Sequence, residues 1–220
     1  MSILTDAKLQ VQIDRLHSLS RSQEPETYAY FERRARAGDL DWDALDADAH
    51  AFFADRLVAL DPDKAEFCHL LCRAMRAQRV VEVGTSYGVS TLYLADAVRA
   101  NGGGVVIGTE HEAGKAAAAR ANFAEAGLDE LIELREGDLA QTLQDLTGPV
   151  DFVLMDIWTE MVCPAMRLIT PHLRTGAAVV CDNTVQFREA YSAYFKLIER
   201  AGFVTRTLPF AGGLELSIKI

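Results

Sequence analysis

The run Val80-Val81-Glu82-Val83-Gly84-Thr85-Ser86-Tyr87-Gly88-Val89-Ser90-Thr91 decides the fold. Valine-rich residues lead into a glycine, a short polar loop, a second glycine, and a helical pattern that begins near Val89. That is a buried strand turning sharply into a helix, the place where open α/β sheets hold nucleotide-like ligands. Gly84 is expected to let the backbone approach a ligand, and Gly88 to let the helix start pack close to the strand. Three residues separate the two glycines, so the dinucleotide fingerprint G-x-G-x-x-G is absent. Glu82 and the polar loop carrying Ser86 add a second distinction. A carboxylate here would repel a pyrophosphate and suits a cationic ligand, such as the sulfonium and ammonium of S-adenosylmethionine.

Outward from this run the pattern alternates. Strand-like segments at 79–84, 104–109, 131–135, 150–155 and 176–181 are separated by helical stretches punctuated by Gly or Pro. Strands alternating with helices imply right-handed crossovers, a parallel sheet, and helices on both faces. The last two segments, 203–208 and 214–220, are joined by Pro209-Phe210-Ala211-Gly212-Gly213, a hairpin-like connection. The expected architecture is α/β: a doubly wound, mostly parallel, seven-stranded sheet with an antiparallel last strand.

Residues 1 to about 78 read as wholly helical. Leu9, Ile13 and Leu16 share one face, a second segment follows Pro25, a third covers roughly 43–60, and a fourth runs from Asp61-Pro62 to Met75. Residues 1–60 are therefore expected to form an N-terminal helical cap on the same domain as residues 61–220, which carry the ligand site.

Half of the 220 residues are hydrophobic and a quarter charged, as in ordinary globular chains. The net charge of −10 argues against a broad phosphate-binding face, so nucleic acid is disfavoured as a partner. No apolar run approaches the roughly 18–20 residues that span a bilayer, and residues 1–23 lack a leader pattern. Cys68, Cys72, Cys163 and Cys181 include no C-x-x-C pair, which points to reduced thiols and a cytoplasmic location. The five histidines show no ligand spacing.

In such a sheet, ligands lie beyond the carboxyl ends of the strands. The second strand ends in Glu110, where a carboxylate can accept from both ribose hydroxyls. The third ends in Glu136-Gly137-Asp138, and Asp138 either accepts from an adenine amino group or caps the following helix. The fourth ends in Asp156 and the fifth in Asp182-Asn183. Two carboxylates and an amide oxygen suit a hard divalent cation such as Mg²⁺. Taken singly, each of these residues is equally at home in a turn.

These residues resemble the metal-dependent class I O-methyltransferases, the group that includes the catechol and caffeoyl-CoA enzymes. The resemblance covers roughly residues 60–220. It rests on Val81-Glu82-Val83-Gly84 with Gly88, Phe152-Val153-Leu154-Met155-Asp156, Cys181-Asp182-Asn183-Thr184, and Gly213-Leu214-Glu215. It implies the class I S-adenosylmethionine methyltransferase fold, with Asp156, Asp182 and Asn183 as metal ligands. Glu82 and Gly84 would contact the methionine part of the cofactor, Ser90 its carboxylate, Glu110 its ribose, and Asp138 its adenine. Trp158 matches an aromatic that lines the cofactor and substrate cleft, and a buried structural Trp is the alternative. A homodimer is also implied.

One position departs from the pattern. The family commonly carries a lysine base three residues after the first metal-binding Asp, and here Thr159 occupies that place. Lys64, in Asp61-Pro62-Asp63-Lys64, falls where the family brings a helix start over the active site and is the candidate catalytic residue, with a solvated surface position as the alternative. Two further readings of Thr159 stay open: the metal alone acidifies an already acidic hydroxyl, or the chain has left catechol-type chemistry. The resulting expectation is a Mg²⁺-assisted transfer of a methyl group from S-adenosylmethionine to a hydroxyl of a small catechol-like or vicinal-oxygen acceptor. Three other readings stay open. They are a metal-independent methyltransferase acting on nitrogen, carboxylate or a tRNA base, a cofactor-binding protein without catalysis, and a dehydrogenase.

Overall fold

The computed structural model describes residues 3–39 and 46–220. Its strands are β1 (Arg79–Val83), β2 (Val105–Glu110), β3 (Ile132–Glu136), β4 (Val150–Met155), β5 (Leu173–Asp182), β6 (Phe203–Leu208) and β7 (Leu214–Lys219). They form one sheet in the order β3-β2-β1-β4-β5-β7-β6. The first five run parallel, and β7 lies antiparallel between β5 and β6. This is the mostly parallel seven-stranded sheet with an antiparallel last strand that the alternating pattern predicts. Five parallel strands bring their carboxyl ends to one edge, and all the candidate strand-end acids lie along it.

Burial on both faces explains the near-continuous apolar runs of β1 and β4. Val80, Val106, Phe152, Leu154 and Val180 point into a core shared with the N-terminal helices. Their neighbours Val81, Val83, Ile107, Val153, Met155 and Val179 point into the core on the other side. Eight helices cover the two faces among the described residues: α1 (Ala7–Ala37), α2 (Ala47–Phe53), α3 (Pro62–Met75), α4 (Val89–Ala100), α5 (Ala113–Ala126), α6 (Leu139–Thr142), α7 (Thr159–Ile169) and α8 (Ser192–Arg200). Every residue of α4 from Val89 to Val98 is buried, because the sheet lies on one side of it and α1 and α3 on the other.

The N-terminal region departs from the sequence reading in two places. Pro25 does not begin a second helix; it sits inside the 31-residue α1. Pro25 is exposed, so the Arg21 carbonyl that loses its helical partner faces water, which makes the missing bond tolerable. The expected third helix is shorter than 43–60. Its first three residues lie outside the described residues, and α2 ends at Phe53, after which the chain runs as an irregular strap to Leu60. The strap is held from α1, where Gln23 Oε1 accepts from the Leu57 amide at 2.9 Å and Ser20 Oγ from the Ala59 amide at 3.2 Å.

Leu9, Ile13 and Leu16 of α1 share the core with Val98 and Phe123. Gln12 Nε2 also donates to the Asn122 carbonyl of α5 at 2.8 Å. No helix among the described residues is long and apolar enough to cross a membrane.

Candidate functional site

The site is built around the turn from β1 into α4. Strand ends are knotted to one another here: the Thr85 amide donates to the Thr109 carbonyl at 2.9 Å, and the Asp156 amide to the Val83 carbonyl at 3.0 Å. Gly84 has a left-handed φ of 95°, and a Cβ on it would run into the Asp156 carbonyl oxygen. The glycine therefore answers to the close approach of the β4 end, a chain contact that the sequence reading assigned to a ligand. Gly88, with φ 81°, serves as expected at the helix start, but the group it admits is the Phe123 ring of α5.

Glu82 is fully buried under this turn. Its carboxylate accepts from Ser90 Oγ at 2.6 Å, Thr85 Oγ1 at 3.1 Å, and Thr91 Oγ1. Burial pushes its pKa up to about 7; the three hydroxyls pull it back, and Glu110 pushes it up again. Glu82 thus organises the loop from beneath, and Ser90 spends its proton on Glu82. Sequence reasoning missed Thr85 and Thr91 as partners of Glu82. The signal was present, since polar residues opening an otherwise apolar helix require a buried acceptor.

Above the loop lies a crevice lined by Gly84, Ser86, Ser90 and Asp156 on the sheet side and by Leu57 and Leu60 of the strap on the other. Ser86 has a left-handed φ of 50°. Its amide donates to Glu110 Oε2 at 2.7 Å, while its buried hydroxyl has no protein partner. Glu110 Oε1 accepts from the Glu112 amide at 2.8 Å, so Glu110 fastens the loop to the end of β2 and keeps one lone pair free on each oxygen. An orphaned hydroxyl, a strand-end carboxylate and a glycine turn fit a ligand with ribose and amino-acid parts. The strap was invisible as a site element because its residues read as helix.

Asp138 is exposed and caps α6, accepting from the Ala140 amide at 2.8 Å. Trp158 packs edge-on against Phe53 of α2, with 5.2 Å between ring centroids, in an aromatic cluster with Tyr30 and Phe52. It seals the cap against the end of β4. Thr159 opens α7.

Lys64 is 2 % exposed, although it stands in the first turn of α3. Its ammonium donates to Asp182 Oδ1 at 2.7 Å and lies 3.4 Å from Asp61 Oδ2. Burial lowers the affinity of this amine for its proton, but Asp182 and Asp61 outweigh that and raise it, so Lys64 stays charged. Asp156 is pushed well above the usual carboxylate range, first by burial and then by Asp182 and Glu82, with Lys64 pulling back. Asp182 is raised too, by burial first, with Lys64 opposing.

These residues do not fit a divalent ion as they stand. Asp182 Oδ1 is taken by Lys64 and by the Asn183 amide at 2.7 Å. Asn183, itself left-handed with φ 59°, places its carboxamide oxygen against Gly212, where a Cβ would come within 2.7 Å. No cluster of three His, Cys, Asp or Glu side chains among the described residues has the disposition of a metal site. Two unit charges roughly 4 Å apart repel by about 4 kcal/mol at an effective dielectric of about 20, and a divalent ion beside Lys64 would double that. Of the two expected carboxylate ligands, Asp182 is held by the Lys64 ammonium and Asp156 is not.

The strand order, with its antiparallel β7, is that of the class I methyltransferase fold. Residues 81–184 match the family described as a methyltransferase domain. A catechol O-methyltransferase from Niastella koreensis is 31% identical over 137 residues, covering 59% of this chain and 59% of that one. A catechol O-methyltransferase from Mycobacterium tuberculosis is 33% identical over 130 residues, covering 59% and 58%. The chain thus spans about three fifths of the length of these curated relatives. An O-methyltransferase from Streptomyces achromogenes involved in tomaymycin synthesis, solved in complex with S-adenosylmethionine, superposes with a TM-score of 0.66 at 25% identity. It covers 79% of this chain and 86% of that one. The likeness to these O-methyltransferases thus centres on the sheet and the crevice at its carboxyl edge, within residues 81–184 for the methyltransferase-domain family.

Proposed function

We propose that the protein transfers a methyl group from S-adenosylmethionine to an oxygen of a small hydroxylated acceptor. The observation that carries this reading is the crevice over Gly84–Gly88, with the unpartnered Ser86 hydroxyl and the Glu110 carboxylate at one end and Asp156 at the other. S-adenosylmethionine, when bound, supplies an electrophilic methyl group on a sulfonium. Glu110 would receive the ribose hydroxyls, and Ser86 would donate to the amino-acid end. Asp156, with no hydrogen-bonded cation of its own, would be drawn back to its charged form by a cationic ligand beside it. The strap from Arg56 to Leu60 keeps water from one side, which strengthens each of these electrostatic contacts. The names and bound cofactor of the relatives support the same reading.

Assistance by Mg²⁺ is the finer form of this proposal. Asp156, Asp182 and Asn183 would be its ligands, but with Lys64 seated on Asp182 we route no step through a metal. That contact favours a second reading, the metal-independent one. A homodimer through the N-terminal helices belongs to the proposal as well, supported by Val11, Leu19 and Tyr28 exposed on α1. So does a cytoplasmic location, supported by four unpaired cysteines.

The test is transfer of label from methyl-labelled S-adenosylmethionine to a panel of phenols and catechols, with the products mapped by mass spectrometry. Label recovered as a methyl ether is the expected result. Label on nitrogen, or no transfer by protein that binds the cofactor, would overturn the proposal.

A further inference from the structure

We infer that the ammonium of Lys64 is a built-in cation standing where this family's site would take a divalent ion, and that the methyl acceptor binds to it through one ionised oxygen. The inference rests on the proposed O-methyl transfer and specifies the class of substrate. Lysine is almost never fully buried unless paired, and a positive charge in the first turn of a helix opposes the helix dipole. Lys64 is both buried and in the first turn of α3. What holds it there is Asp182, 118 residues away at the end of β5, together with Asp61 just before the helix. Asp156, at the end of β4, also lies within electrostatic reach of the ammonium. Lys64 is thus a monovalent cation that the chain itself supplies to the acids at this sheet edge.

An ammonium has three N–H donors. One goes to Asp182 and a second is oriented toward Asp61, which leaves one for a ligand. A divalent ion chelates two neighbouring oxygens; a single N–H holds one. The acceptor that fits is therefore an acidic phenol, ionised before transfer, with its proton lost to water. A lone pair of its oxygen then forms the O–CH₃ bond, the C–S bond breaks with its pair going to sulfur, and the sulfonium becomes a neutral thioether. Lys64 neither gives nor takes a proton. It stabilises the oxyanion and aligns it for in-line displacement.

Mn²⁺ binding, read by the electron paramagnetic resonance signal of the free ion, tests the first half. Wild-type protein, dialysed against EDTA and then freed of it, should leave the signal unchanged, as should Lys64→Arg. Lys64→Gln should bind about one Mn²⁺ per chain, at least tenfold more tightly than wild type. Wild type binding Mn²⁺ as tightly as Lys64→Gln overturns the inference, and so does a folded Lys64→Gln that binds none. If Lys64→Gln fails to fold, wild type and Lys64→Arg decide: Mn²⁺ bound by either overturns it, and exclusion by both upholds it.

For the second half, 4-nitrophenol is added with S-adenosylhomocysteine present. Wild type should raise the fraction in the yellow phenolate form, and no rise overturns the acceptor class. Calorimetry with S-adenosylhomocysteine on the same samples separates the two levels. Absence of that binding sinks the cofactor proposal, whereas the Mn²⁺ result bears on Lys64 alone.

Discussion

Glu82 shows how a single buried acid shapes the loop above it. Three hydroxyls converge on its carboxylate, and none of them is free to turn elsewhere without leaving a charge unsatisfied. Removing the Thr91 hydroxyl in Thr91→Val should cost about 1.5–3 kcal/mol, the range for a hydrogen bond to a charged group. The pH dependence has a definite sign. Burial raises the Glu82 pKa from 4.5 in the unfolded chain to about 7. Its contribution to stability is thus fully present below 4.5 and is lost as pH rises through about 7. The charged form needs the Thr91 donor most, so the Thr91→Val penalty in urea unfolding should be larger at pH 8 than at pH 6. An equal penalty at both would mean that Glu82 does not titrate in this window.

At the level of elements, the crevice exists because the N-terminal strap crosses the β1–α4 loop. Tyr87 Oη donates to the Asp55 carbonyl at 2.8 Å, the direct tie between loop and strap. Arg56 pairs with Glu26 at 2.6 Å, and Trp158 packs on Phe53. Tyr87→Phe removes one exposed hydrogen bond, so it should change stability by only about 1 kcal/mol. It should nevertheless weaken S-adenosylhomocysteine binding severalfold in calorimetry, because the strap loses its hold over the crevice. Unchanged affinity would show that the strap plays no part in binding. This dependence was not legible in the sequence. A strap pinned by side chains of α1 carries no periodicity, and residues 43–60 contain enough helix formers to read as one helix. The exposed Pro25 misled for a related reason: a proline signals a helix start only where its lost hydrogen bond cannot be solvated.

For the whole molecule, the sheet was legible because a parallel strand covered on both faces is largely apolar, and Phe152–Met155 and, Glu82 apart, Val80–Val83 are. The strand-end acids were legible because the topology sends every parallel strand to one edge. What those acids hold was not. Lys64 and Asp182 are 118 residues apart, and nothing local in either segment announces the pair. The same limit applied to Glu110, which was expected to face a ribose and is also the knot that fixes Ser86. The account's central claim is that the β1–α4 crevice takes up the methyl donor, with Glu110 at the ribose end. Calorimetric titration of S-adenosylhomocysteine into the purified full chain tests it most directly. The account predicts one site per chain in wild type and at least tenfold weaker binding in Glu110→Ala; no heat of binding by folded wild-type protein, or an affinity that Glu110→Ala leaves unaltered, would contradict it.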